Sequence, residues 1–268
     1  MKSRIELFGM SIDAIRMPEA VERIYEWIAR PEGACRYVVT PNVDHAVIFQ
    51  QHAELRRAYD RASLVLADGM PVVLASRLLG KPLPERVPGS DLAPALFAAA
   101  SSQRPLRVYL LGAAHGVAEI AAKKIEQTWP AVQVTGVFSP PIGFEKDSQQ
   151  NRDILDRIAA AKPDLLVVGL GAPKQELWLA AHRQEIRASV ALGIGATIDF
   201  LAGERSRAPV WMRRCGLEWL HRMLSEPRRL TGRYARDAWI FPQLVWRQWR
   251  ADRAGRKTAE SASRGIAA

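Results

Sequence analysis

The sequence predicts an α/β fold: a mostly parallel, Rossmann-like sheet flanked by helices, followed by a helical, basic, Trp-rich, membrane-associating C-terminal appendage. Three observations carry this. Six short apolar, β-branched runs alternate with longer stretches of helical period. The runs are apolar on both faces, as in parallel strands covered by helices on each side. Charge and tryptophan segregate along the chain. Residues 204–268 hold 15 Lys and Arg against 6 Asp and Glu, with five of the eight tryptophans, whereas residues 1–203 carry 23 against 22.

Strands are expected at Tyr37–Thr40, Ser63–Ala67, Arg107–Gly112, Val132–Val137, Asp164–Gly169 and Val190–Gly193. Helices are expected between them, at about 18–30, 43–60, 70–79, 90–102, 115–128, 148–161 and 173–187. Pro18 and Pro173 suit a first helical turn, where a missing N–H costs little. Asp147 or Ser148 is placed to cap the helix that follows. These elements make an α/β domain over 1–203. Residues 209–224 and 227–250 read as amphipathic helices of an appendage spanning 204–250, with Pro227 and Pro242 as boundaries or kinks. Residues 251–268 lack a core pattern and read as a disordered tail.

The chain has 268 residues, 48% of them hydrophobic, enough to bury a sizeable core and too apolar for a disordered protein. Cys35 and Cys215 are far apart and read as reduced thiols, as in a cytoplasmic protein. No apolar run reaches the roughly 18 residues of a spanning helix, and the first residues lack a signal-peptide core. The expected location is the cytoplasm. The basic end points to an anionic partner: phosphates, a membrane surface or nucleic acid.

In a parallel sheet, ligands sit beyond the C-terminal strand ends. Four ends carry polar or glycine residues: Thr40-Pro41-Asn42, Ala67-Asp68-Gly69, the GLGAPKQE segment from Gly169 to Glu176, and Gly193 to Asp199. GLGAPKQE brings backbone N–H groups to a helix start, a natural anion site, although an ordinary strand–helix turn reads the same way. It is neither a dinucleotide fingerprint, because Lys174 stands where a glycine is needed, nor a Walker A loop. Asp68 can serve as a general base toward a hydroxyl or as the cap of the helix near Met70. Asp199 can hold a ribose diol or finish a turn. Thr40 and Asn42 can bind substrate or shape the turn before residue 43, and His45 lies close by. The five histidines show no metal-ligand spacing, so neither a protein-held metal nor a cofactor is expected. Arg222, Arg228, Arg229 and Arg233 suit phosphate oxygens, or a solvated basic face. Interleaved Trp219, Trp239, Trp246 and Trp249 favour a membrane interface.

TPNVDH at 40–45, ADGMP at 67–71, RVPGSDL at 86–92, GLGAPKQE at 169–176, GIGATIDFLAG at 193–203, RAPVWMRRCGLEWLHRM at 207–223 and EPRR at 226–229 form an ordered series. Over about 1–250 it resembles the WecG/TagA/CpsF family of bacterial glycosyltransferases. The resemblance implies metal-independent, inverting transfer from a UDP-sugar to a sugar on a polyprenyl diphosphate at the inner membrane face. It implies Asp68 as base, Thr40 and Asn42 in the sugar pocket, and Arg86 at its border. Gly169, Gly171, Lys174, Gln175 and Asp199 fall to the nucleotide-sugar, with Asp199 on the ribose. Arg222, Arg229 and, more loosely, Arg233 fall to the diphosphate. The TPNVDH form looks most like members in exopolysaccharide assembly, with glucosyl transfer to lipid-linked glucose as the expectation. The alternative is N-acetylmannosamine, or its uronic acid, onto lipid-linked N-acetylglucosamine. A homo-oligomer stays open.

Other classes fit less well. No nucleic-acid partner is expected, since no recognition helix, RNP aromatics or GXXG loop occurs. A nicotinamide oxidoreductase lacks its third glycine and closing acid. A catalytically inactive membrane adaptor is disfavoured by Asp68, Thr40 and Gln175.

Overall fold

A computed structural model describes residues 4–266, without the side chains of Arg214, Arg229 and 256–266. The chain opens with an antiparallel hairpin, β1 (Arg4–Leu7) and β2 (Met10–Asp13), which the sequence reading did not anticipate. Its two-residue turn has positive φ at Phe8 (55°) and Gly9 (82°), the twist that closes tight hairpins. Asp13 accepts a hydrogen bond from the Val65 N–H (2.9 Å), so the hairpin covers the sheet edge.

The six expected strands are present: β3 (Arg36–Val39), β4 (Leu64–Val65), β5 (Leu106–Gly112), β6 (Val132–Phe138), β7 (Leu165–Gly169) and β8 (Val190–Gly193). They form one sheet in the order β4-β3-β8-β7-β5-β6, parallel throughout. Side chains alternate across it. Val38, Val108 and Leu110 enter a core beneath α1 (Met17–Ala29), α5 (Gly89–Ala98), α6 (Val117–Thr128) and α9 (Thr197–Ala202). Tyr37, Val39, Tyr109 and Leu111 enter the other, beneath α2 (Val43–Phe49), α3 (Ala53–Asp60), α4 (Met70–Leu78), α7 (Ser148–Ala161) and α8 (Lys174–His182).

The expected helix at 43–60 is two helices, because His52 turns out of helical geometry and caps α3, its Nδ1 accepting the Leu55 N–H at 3.2 Å. Asp147, not Ser148, caps α7, accepting the N–H groups of Gln149 and Gln150. The segment 209–224 breaks at Gly216 (φ 75°) into α10 (Val210–Arg214) and α11 (Glu218–Ser225). Finally α12 runs from Pro227 to Ile266 with Pro242 inside it, so the chain continues as helix where its composition predicts an irregular tail. Leu230, Phe241 and Leu244 tie α12 to the body, the last two packing on the second core. No helix among the described residues is long and apolar enough to cross a membrane. Cys35 is buried, which pushes its thiol to about 12, as suits an inert structural residue; Cys215 is exposed.

Candidate active site

The four strand ends singled out in the sequence belong to β4, β3, β8 and β7, which are adjacent in the sheet. A chemistry scattered over 160 positions of chain is thereby gathered on one rim, while β5 and β6 stand aside. Small residues allow the close approach. A Cβ on Gly169 would lie 2.8 Å from the Gly195 carbonyl oxygen, so the ends of β7 and β8 could not meet as they do with any larger residue. Gly171 (φ 81°) faces open space, which leaves its backbone accessible at the start of α8.

Asp68 lies three residues past the end of β4, and its N–H donates to the Pro41 carbonyl (2.8 Å). It does not cap α4: that position is Gly69, with φ 118° and no side-chain hydrogen bond. The carboxyl is therefore free for chemistry. Burial, reinforced by the Glu218 carboxylate, pushes it up to about 6, against the opposing charges of Arg86, Arg222 and His45. A carboxylate poised there is ionised at neutral pH yet basic enough to take a proton.

The appendage completes this setting. Arg86 bridges Asp91 on α5 (3.8 Å) and Glu218 on α11 (3.5 Å). Asp91 also receives Arg207 (2.8 Å) and Arg213 (3.5 Å), fastening the segment before α11 to the body. Gly216 packs against Met70; a Cβ there would lie 2.6 Å from the Met70 Cβ. This brings Glu218 and Arg222 to Asp68 and sets the Arg222 guanidinium 5.9 Å from the centre of the Phe200 ring. Arg233 pairs with Asp44 in the first turn of α2 (3.5 Å), two residues from Asn42. The Arg229 side chain lies outside the described residues.

Beneath the rim runs a buried polar chain that the sequence did not reveal as a unit. Asn42 caps α2, its Oδ1 accepting from the His45 N–H (3.3 Å) and lying 2.9 Å from His45 Nδ1. His45 Nε2 lies 3.2 Å from Glu176 Oε1, which also accepts from Gln175 Nε2 at 2.8 Å. Gln175 Oε1 accepts the Gly195 N–H (3.0 Å). The chain thus ties the ends of β3, β7 and β8 together. Burial works against charge on His45, but the Glu176 hydrogen bond and the carboxylates of Glu176, Asp44 and Asp68 outweigh it and raise its pKa. The Asn42 backbone N–H also approaches His45 Nδ1 (3.4 Å), so the ring closes a capping box at the start of α2. Glu176 is wholly buried, and its Oε2 has no partner among the described residues.

The other expected residues divide. Thr40 is buried at the β3 end. Gln175 is buried with both ends of its amide engaged, so it braces the Gly195 turn. Asp199 sits in the first turn of α9, 3.8 Å from Arg205, which also bonds Glu226 (2.8 Å). Lys174 turns elsewhere: it pairs with Glu145 (3.3 Å) and lines a separate cleft of about 510 Å³ with Arg57, Arg61 and His182. Glu218, beside Asp68, and Glu176, between His45 and Gln175, are residues to which no sequence argument assigned a role. The only sequence signal for Glu176 is its place beside Gln175 in the GLGAPKQE turn. No group of three or more His, Cys, Asp or Glu among the described residues is arranged to hold a metal ion.

The pattern matches known proteins over nearly its full length. The profile of the glycosyl transferase WecG/TagA/CpsF family covers residues 5–255. The chain belongs to this family and is a glycosyltransferase. Among its relatives are proteins of Staphylococcus aureus strains MW2 and NCTC 8325, named N-acetylglucosaminyldiphosphoundecaprenol N-acetyl-β-D-mannosaminyltransferase. Each is 31% identical over 231 residues, covering 85% of this chain and 87% of the relative.

Proposed function

We propose that this glycosyltransferase moves an N-acetylmannosaminyl group from a UDP-linked donor to an N-acetylglucosaminyl diphosphate carried on a polyprenol, at the inner membrane face. The observation that carries the reading is Asp68: a recessed carboxyl tuned to about 6 and flanked by Arg86 and Arg222. The relatives' names carry the sugars, and they favour the N-acetylmannosaminyl alternative over the glucosyl transfer expected from the TPNVDH motif.

Asp68 takes the proton from the acceptor hydroxyl as that oxygen attacks the anomeric carbon, and the UDP oxygen leaves from the opposite face. One base and one displacement suffice, so an α-linked donor gives a β-linked product. The "β-D" in the relatives' name supports this inversion. Charge developing on the leaving diphosphate falls to Arg222, to Arg229 and to the backbone at Gly171, where α8 begins. Asn42, with its Oδ1 committed to His45, has its amide nitrogen left for a sugar hydroxyl. Asp199 and Arg205 suit the ribose side, next to the end of β8. Exposed Trp211 and Trp239, among basic residues, suit an anionic membrane surface.

The test is UDP release from purified protein given water-soluble acceptors bearing either N-acetylglucosamine or glucose on a short-chain lipid diphosphate, with UDP-N-acetylmannosamine and UDP-glucose as donors. Release is expected only with the N-acetylmannosamine donor and the N-acetylglucosamine acceptor. Turnover of the glucose pair alone would overturn the sugar assignment.

A further inference from the structure

Beside the proposed catalytic rim lies an apolar groove that the reaction just described does not use. Its inner wall is α4, which starts two residues beyond Asp68 and presents Pro71, Leu74 and Leu78 on one face. Its outer wall is α12, through Val245, Trp246 and Trp249. The groove encloses about 680 Å³, and every residue lining it is apolar. Leu74 and Leu78 are 54% and 69% exposed, and Trp246 is 55% exposed, although they face a common space.

Both walls are fixed. Phe241 packs edge-on against Phe8, with ring centres 5.2 Å apart. Gln248 accepts the Phe8 N–H (2.8 Å) and donates to the Glu6 carbonyl (2.9 Å). Asp252 pairs with Lys81 at 3.0 Å, just past the end of α4. These contacts hold α12 against the β1–β2 hairpin and keep the walls apart, so the side chains do not collapse on one another. A preformed apolar groove of this size is a binding surface.

The direction of the groove identifies its occupant. Its inner end is lined by Pro71, three residues along the chain from Asp68, the proposed base. At its outer end Arg250 stacks on Trp246 (4.8 Å) and Arg253 on Trp249 (4.2 Å), cations on indoles as at lipid headgroup depth. A peptide laid here would leave its backbone N–H and C=O groups without partners, whereas a hydrocarbon chain has none to satisfy. We propose that the groove between α4 and α12 binds the first isoprene units of the acceptor's polyprenyl chain, leading it from the catalytic rim to the membrane surface. This rests on the reading of the acceptor as a lipid diphosphate.

The experiment uses two soluble acceptors with the same N-acetylglucosaminyl diphosphate, one ending in a methyl group and one in a three-isoprene tail, without detergent or vesicles. The wild-type protein should show a KM for the tailed acceptor at least about tenfold below that for the methyl one, the cost of losing roughly two buried apolar groups. Leu74→Gln with Leu78→Gln, both exposed and so tolerated by the fold, should abolish that difference, leaving kcat and the methyl acceptor's kinetics unchanged. Calorimetric titration of the tailed acceptor into Asp68→Asn protein should give a negative heat-capacity change that the groove substitutions reduce. Equal KM values for the two acceptors in the wild-type protein would overturn the groove while leaving the reaction intact. So would groove variants that change only vesicle binding, or only the oligomeric state in sedimentation, which would assign the surface to the bilayer or to a second copy. Turnover of neither acceptor would overturn the reaction and the groove together.

Discussion

Asp68 sits where a carboxylate is costly to ionise, and that cost is testable apart from catalysis. Burial and Glu218 raise its pKa from 3.8 to about 6 in the folded protein. A raised folded-state pKa means the protonated form is the favoured one. Its contribution to stability is fully present below about pH 4 and is lost as pH rises through 6. Asp68→Asn should therefore be more stable than wild type at pH 8, by roughly 3 kcal/mol, with the difference vanishing near pH 3.5. Thermal melts across this range check it; equal melting temperatures at pH 8 would mean the carboxyl is well solvated. At this scale the sequence marks Asp68, Arg86 and Arg222 as candidates, and the fold places the two guanidinium groups where they act on the Asp68 carboxyl. The sequence reading fails for His45 and Glu176, whose contact joins residues 131 positions apart. Each looks ordinary alone, and only the fold brings the two side chains together. Lys174 is a different case. Its motif is legible, but the side chain turns toward Glu145 because α8 presents successive residues on different faces.

Among elements, the six strands are legible because two-sided burial leaves unbroken apolar runs, and their spatial order is not. Nothing in the runs themselves says that β8 inserts between β3 and β7, which is what gathers the four motifs. The β1–β2 hairpin escapes because four-residue strands with one buried face carry little periodic signal. The break between α10 and α11 has a clearer cause. Gly216 combines φ 75° with a close approach to Met70, so a Cβ would be strained and would collide at once. Gly216→Ala should cost about 1–3 kcal/mol and should lower kcat/KM more than its effect on global stability explains, because α11 carries Glu218 and Arg222. Kinetics at a temperature well below the melting transition separate the two. Unchanged kcat/KM would show that the position of α11 does not matter to the reaction.

For the whole molecule, segregated charge is the plainest message of the sequence, and the fold shows how the basic end is held. The appendage is no loose tail: Leu230, Phe241 and Leu244 anchor α12, and Asp91 alone holds Arg86, Arg207 and Arg213. Removing everything after Gly203 would strip these contacts and expose core, so point substitutions and salt are the better probes. With a net charge of +10, the protein should bind anionic vesicles and leave neutral ones largely free. Raising salt from 0.1 to 1 M shortens the Debye length from about 10 to about 3 Å and should release most of the bound protein. Flotation assays check this; equal binding to neutral vesicles would assign the attachment to the tryptophans instead.

The central claim is that Asp68 is the base in sugar transfer, and the pH dependence of kcat/KM tests it most directly. Wild-type activity should fall on the acid side with an apparent pKa near 6, and Asp68→Asn should lose that limb along with about 10²- to 10⁴-fold in rate while still binding UDP. An Asp68→Asn protein that keeps the same acid limb, or most of the wild-type rate, would contradict the account.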